Sequence, residues 1–128
     1  MGSEMKIAVS ADRLALDSPV DPMFGRCRVL LFVDPQTMQF EALDNPGADA
    51  VGGAGIQAAQ AVVRRRAASL VTGNVGPNAM QVLEAAGITV HTGFRGTVRD
   101  GVEACRSGAL PPTTSTTAGR HAGHGAGA

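Results

Sequence analysis

Around residue 51 the chain changes character, and that change limits what it can fold into. Val51-Gly52-Gly53-Ala54-Gly55 puts three glycines among four residues, and Ile56-Gln57-Ala58-Ala59-Gln60-Ala61-Val62-Val63 follows with no breaker. Glycine brings no side chain to a core and loses the most backbone freedom on folding. A cluster of them therefore suits a loop that needs positive φ, or one whose backbone comes close to something. The run after it is a good helix former and sets Ile56, Ala59 and Val63 on one face of a helix over residues 56–66. A glycine loop opening a helix points free N–H groups and a positive dipole end outward, which favours an anion. Gly53 and Gly55 are the first candidate binding residues.

Before this point the pattern is that of strands. Residues 6–10 (Lys6-Ile7-Ala8-Val9-Ser10) and 28–33 (Arg28-Val29-Leu30-Leu31-Phe32-Val33) are short apolar runs of the buried type. Residues 38–43 alternate apolar with polar and predict a half-exposed strand, joined to its predecessor by a connection short enough for an antiparallel hairpin. After residue 55 helix alternates with strand. A strand at 69–72 leads to a helix beginning at Gly76-Pro77, with Pro77 suited to its first position and Met80, Leu83 and Ala86 on one face. Gly87 stops that helix, and residues 88–91 form the last strand. Thr97 with Asp100 resembles a capping box for a third helix, whose apolar stripe is Val98, Val102 and Cys105.

Residues 111–128 are Thr/Pro and then Gly/Ala/His, with little to bury, and are expected to be a disordered tail. Residues 1–4 are expected to lie outside the fold. What remains, residues 5–110, is one α/β domain: an antiparallel hairpin on one side of a partly parallel sheet, with helices on its faces. In such sheets ligands sit beyond the carboxyl ends of the parallel strands. Those ends carry Ser10-Ala11-Asp12, Thr72-Gly73-Asn74 and Thr92-Gly93, and the starts of the first two helices could share the same edge.

Several function classes drop out. Formal net charge is zero and all four aromatic residues are Phe, so neither the footprint of nucleic-acid binding nor a base-stacking platform is present. No apolar run approaches membrane-spanning length, and residues 1–5 do not resemble a signal peptide, so a cytoplasmic protein is expected. Gly53-x-Gly55-x-x-Ala58 matches the dinucleotide fingerprint as a string, but the next strand ends in Thr72-Gly73 with no carboxylate for a ribose. A metal-dependent nuclease needs several converging carboxylates; Asp12 is suitably placed, but the second strand has none inside it and the later helices give only Glu84, Asp100 and Glu103. There is no Gly-x-Ser-x-Gly elbow for a serine hydrolase.

Two cysteines, far apart in sequence, are expected to be free thiols or ligands. Cys105 falls on an apolar stripe, where a thiol packs as a small hydrophobe. Cys27 follows Met23-Phe24-Gly25-Arg26 where a loop enters a strand. There the Arg26 guanidinium would favour the thiolate, the form that binds metals. His91 closes a strand, while His121 and His124 lie in the tail as His-x-x-His.

Three blocks carry a family resemblance: Met23-Phe24-Gly25-Arg26-Cys27 with the apolar run to Asp34; Gly52-Gly53-Ala54-Gly55-Ile56-Gln57-Ala58-Ala59; and Thr72-Gly73-Asn74-Val75-Gly76-Pro77-Asn78-Ala79 with Leu83 and Ala86-Gly87-Ile88. In this order and spacing the chain resembles the dinitrogenase iron–molybdenum cofactor biosynthesis family, which includes NifX- and NafY-type carriers and the C-terminal domain of many NifB proteins. The resemblance implies a ribonuclease H-like fold with a five-stranded mixed sheet. It also implies non-enzymatic binding or delivery of an iron–sulfur-type cluster or the iron–molybdenum cofactor. Cluster-assembly or acceptor proteins would be partners, and the chain a monomer or a cluster-bridged dimer. Many relatives have His before Phe-Gly; here that position is Met23, whose thioether is a poorer ligand for iron than imidazole. On this reading Cys27, Met23 and His91 are the candidate metal ligands, and Gly25, Arg26, Gly53, Gly55, Asn74 and Gly76 the residues around the cluster. Two other classes of function fit the same residues: a protein-interaction or regulatory module without a cluster, and a small-anion or nucleotide binder using the Gly53 loop.

Overall fold

Strands β1 (Ile7–Ala11), β2 (Val29–Val33) and β3 (Phe40–Asp44) come first, with one turn of 3-10 helix at Phe24–Arg26 before β2. Helix α1 (Ala54–Arg64), β4 (Ser69–Val71), α2 (Pro77–Ala85), β5 (Thr89–His91) and α3 (Val98–Arg106) follow in alternation. These elements belong to a computed structural model that describes residues 6–113. The expected N-terminal segment, most of the tail, and His121 and His124 lie outside the described residues.

The five strands make one mixed sheet in the order β3-β2-β1-β4-β5. β1 is antiparallel to β2, with Ile7 opposite Val33 and Ala11 opposite Val29, and parallel to β4, with Ile7 opposite Ser69. β2 and β3 form the expected antiparallel hairpin, and β4 and β5 run parallel. All five residues of both β1 and β2 are buried, as continuous apolar runs covered on both faces require. β3, at the edge, keeps only Phe40 and Leu43 half-covered.

Side chains alternate between two cores. Ala8, Leu30, Phe32, Leu70 and Val90 face α1 and α2, where they meet Ala58, Ala59, Ala61, Val62, Met80 and Leu83. Ile7, Val9, Leu31, Val33 and Val71 face α3 through Val98 and Val102. The helix faces are rotated from those expected. In α1 the buried residues are Ala58, Ala59, Ala61 and Val62, with Ile56 and Val63 only half-covered; in α2, Ala79 is buried and Ala86 is exposed at the helix end. Small alanines at the centre of α1 let it lie close to the sheet, which a sequence stripe built on the larger residues misses.

The domain extends three residues past its expected end. Thr113 donates its N–H to Val90 O at 2.6 Å, and its hydroxyl meets the Thr92 N–H at 3.2 Å and the Thr92 hydroxyl at 2.9 Å. Leu110 packs into the α3-side core. The exposed edge of β5 supplies backbone partners that composition alone does not reveal.

The strand directions decide where a ligand could sit. β2 runs opposite to β1, so it starts at the edge where β1, β4 and β5 end. β3 runs back and ends at that same edge. The 3-10 turn before β2, the loop after β3 and the start of α1, and the loop from β4 to α2 therefore collect at one end of the sheet.

Candidate functional site: a backbone-lined edge

At that end, three backbone segments touch. A Cβ on Gly25 would lie 2.9 Å from Gly55 N and 3.0 Å from Gly55 Cα, so the 3-10 turn rests directly on the first turn of α1. A Cβ on Gly55 would in turn lie 3.3 Å from Ala79 Cβ, which brings the first turns of α1 and α2 side by side. Phe24 N donates to Asn74 O at 3.2 Å, and Met23 pairs with Asn74 in a parallel bridge. Gly73 lets the β4–α2 loop lie against Pro22, since a Cβ there would be 2.6 Å from Pro22 Cα. Gly25, Gly53, Gly55, Asn74 and Gly76 thus gather with Met23 on one rim.

The helix starts on this rim are bare. α1 has Gly53 as its N-cap, at φ 70°, and α2 has Gly76; neither has a side-chain cap or an acidic residue in its first turn. α3 is the contrast. Thr97 Oγ1 accepts from the Asp100 N–H at 3.1 Å, and the Asp100 carboxylate accepts from the Thr97 N–H, a complete capping box. First-turn N–H groups without partners, together with the positive end of the helix dipole, favour an anion. The chain neutralises one such end and leaves two adjacent ones open. Exposed Met23 (54%) and fully exposed Val51 (104%) give apolar relief to the surroundings.

Buried hydrogen bonds fix the loops beneath. Ser10 Oγ donates to Asp21 O at 2.7 Å and lies 2.7 Å from Thr72 Oγ1, tying the ends of β1 and β4 to the loop before the 3-10 turn. The Asp21 carboxylate accepts the Met23 N–H at 2.9 Å. Ser18 accepts the N–H groups of Asp12 and Arg13, which closes the loop after β1. Arg26 donates to Ala48 O at 3.1 Å and to Ala50 O at 2.8 Å, holding the loop that leads to Gly52.

The expected metal ligands do not come together. Cys27 is 0% exposed and packs in the core under α1 and α2, so its sulfur is not presented at the rim. Burial, reinforced by the Asp21 carboxylate, pushes its thiol up to about 12 and outweighs the opposing hydrogen bonds with the Ala11 backbone and with Asn45. The guanidinium expected to favour a thiolate is instead engaged by two carbonyls. Cys105 is half-buried on α3, and burial raises its thiol as well. His91 is buried and pairs with Val71, which faces the α3 core; its Nδ1 lies 3.2 Å from Pro111 O. It therefore belongs to the face opposite α1 and α2. Among the described residues, no three His, Cys, Asp or Glu side chains group so that they could hold a metal ion.

A profile described as dinitrogenase iron-molybdenum cofactor matches residues 5–108. The chain belongs to this family. Among solved structures, it is similar to the apo form of the orange protein from Desulfovibrio gigas, with 42% identity, TM-score 0.81, and 85% of this chain and 92% of that one covered. A Thermotoga protein described as a NifB candidate of the DUF35 family matches with 30% identity, TM-score 0.72, and 84% and 92% coverage. Curated protein sequences give no match. Family membership fits the α/β architecture with its five-stranded mixed sheet and three helices. No helix among the described residues is long and apolar enough to cross a membrane.

Asn45 has no place in the sequence reading, although it lies at the centre of the loop contacts. Its only sequence signal is Asn45-Pro46-Gly47 directly after a strand, which reads as an ordinary turn. Its contacts are tertiary, so spacing along the chain does not show them.

Proposed function

We propose that this protein binds or delivers, without catalysing a reaction on it, an anionic metallocluster of the iron–sulfur or iron–molybdenum type, seated where the 3-10 turn meets the starts of α1 and α2. The observation that carries this is the pair of uncapped helix N-termini brought together by the Gly55–Ala79 contact, in contrast to the third helix, across the sheet, which has a complete capping box. Family membership gives the class of cargo. The donor set narrows it further. With Cys27 enclosed and His91 on the other face, the rim offers backbone N–H groups and one thioether, Met23. Such a rim suits a cluster that arrives with its own sulfide or other ligands and is held by hydrogen bonds and charge. Strand order β3-β2-β1-β4-β5, with β1 antiparallel to β2 and parallel to β4, supports a ribonuclease H-like assignment for the fold. A cytoplasmic location is consistent with such cargo.

Anaerobic reconstitution with ferrous iron and sulfide, with and without molybdate, tests the proposal. Broad visible absorption and stoichiometric metal should co-elute with the chain and persist in Cys27→Ala. Asn78→Asp adds a carboxylate to the exposed first turn of α2 at almost unchanged shape, which suits the helix and repels an anion. It should keep the thermal midpoint and lose most of the bound metal. Metal content unchanged in Asn78→Asp, or a parent chain that retains none, would refute the assignment.

A further inference from the structure

We propose that Asn45 is the positioning residue of this rim: it sets the distance between the 3-10 turn and the first turn of α1, and through it the fit of the cargo, an inference that rests on the cluster-binding proposal above. Asn45 is 5% exposed and belongs to no helix or strand. Its amide serves the turn, Nδ2 donating to Gly25 O at 3.0 Å and to Cys27 O at 2.9 Å and lying 3.5 Å from Cys27 Sγ. Its Oδ1 accepts the Gly47 N–H at 2.9 Å, and its own N–H donates to Arg28 O at 3.0 Å. One side chain therefore joins the turn, the entry to β2 and the loop after β3.

The connection continues into α1 through two glycines. The space a Cβ would need on Gly47 is filled by Ala54 O and by Gly25 O, the latter 2.8 Å away. Gly25 itself abuts Gly55 N. Ala54 and Gly55 are the first residues of α1, whose N–H groups face the rim. Asn45 thus acts on the start of α1 through other residues: it holds Gly25 and Gly47, and they fix the height of the helix start. A hydroxyl at position 45 could still accept the Gly47 N–H and keep the local turn. It could not supply two donors to Gly25 O and Cys27 O, so those carbonyls would lose their partner and the turn its anchor.

Asn45→Ser in the full chain is the test, with Val102→Ala as a comparison that opens a cavity in the α3-side core, across the sheet from the rim. Each is reconstituted with iron, sulfide and molybdate, and three readouts are taken: the thermal midpoint, the visible circular dichroism of the bound cluster, and its release rate to an iron chelator. Loss of an outer partner weakens metal sites by roughly 10- to 100-fold. Asn45→Ser should release the cluster at least about tenfold faster and alter its visible dichroism, while Val102→Ala lowers the midpoint and leaves both unchanged. Equal release from parent and Asn45→Ser, or equal acceleration in Val102→Ala, overturns the proposal. Backbone amide shifts of the cluster-free protein separate this from failure of the cargo assignment. Gly25 and residues 53–56 should move in Asn45→Ser while α3 stays in place, even if the parent binds no cluster; unmoved shifts at 53–56 also overturn it. Should Asn45→Ser not fold, Asn45→Asp keeps the shape and the Gly47 contact but loses one donor pair, and is judged on the same shifts.

Discussion

The enclosed thiol of Cys27 makes the stability of this protein depend on alkaline pH in a calculable way. Its folded-state value is raised from an ordinary 9.0 to about 12, so the folded chain binds a proton that the unfolded chain releases between those limits. An acid whose folded value is raised contributes stability that is complete below the unfolded value and is lost as pH rises through the folded one. The whole window is therefore about pH 9 to 12. Within it the loss is roughly 1.4 kcal/mol per pH unit, or about 4 kcal/mol over three units. Against a typical stability of about 5–15 kcal/mol that is a large fraction. The composition makes it measurable, because the chain has no Tyr and Lys6 is its one lysine, leaving few other groups to titrate there. Urea unfolding from pH 8 to 10.5 for the parent and for Cys27→Ala is the assay. The variant loses packing and starts lower, but its slope should be flatter, so that the gap between the two narrows by about 2 kcal/mol by pH 10.5. Cys105→Ala, a half-buried site, removes less of the slope. Parallel curves for parent and Cys27→Ala would mean that the sulfur is reachable by water, and the case against Cys27 as a cluster ligand would fail with it.

Two further outcomes bear on the fold. Gly53 has φ 70° with open space around its missing Cβ, so Gly53→Ala should cost about 1 kcal/mol through the backbone alone, and Gly53→Asn should recover part of it; an alanine variant as stable as the parent in urea would contradict the left-handed cap. A chain ending at residue 110 loses the Thr113 bonds to Val90 and Thr92 that a chain ending at 113 keeps, a difference of about 1–2 kcal/mol. It should melt several degrees lower, and equal midpoints by calorimetry would remove Thr113 from the domain.

Much of the architecture is legible because it is written in local pattern. Apolar runs at β1 and β2, the alternation in β3, Pro77 at the start of α2 and the Thr97–Asp100 box each carry their own signal, and each lies within a residue or two of its expected place. The glycines were informative for two different reasons. Gly53 needs positive φ, whereas Gly25 has no room for a side chain because the Gly55 backbone stands where its Cβ would be. Cys27 misleads because a residue at a loop–strand junction can face either way, and only the packing of Phe24 and Leu30 around it decides. Asn45 stays hidden for a related reason: its partners, Gly25 and Cys27, are near only after β2 and β3 have paired. Thr113 is missed because its partner is the edge of a strand, which no tail composition announces.

The meeting of Gly25 with Gly55 has a consequence for anyone who would alter the protein. Most contacts between segments can be retuned, because a side chain shortened on one partner can be lengthened on the other. This one is main chain against main chain, with no rotamer to turn and no methyl group to trade. Its spacing is fixed by atomic radii. Enlarging Gly25 leaves no compensating substitution at Gly55, because it is main-chain N and Cα of Gly55 that stand in the way, so the contact is a joint that can be kept or broken but not adjusted.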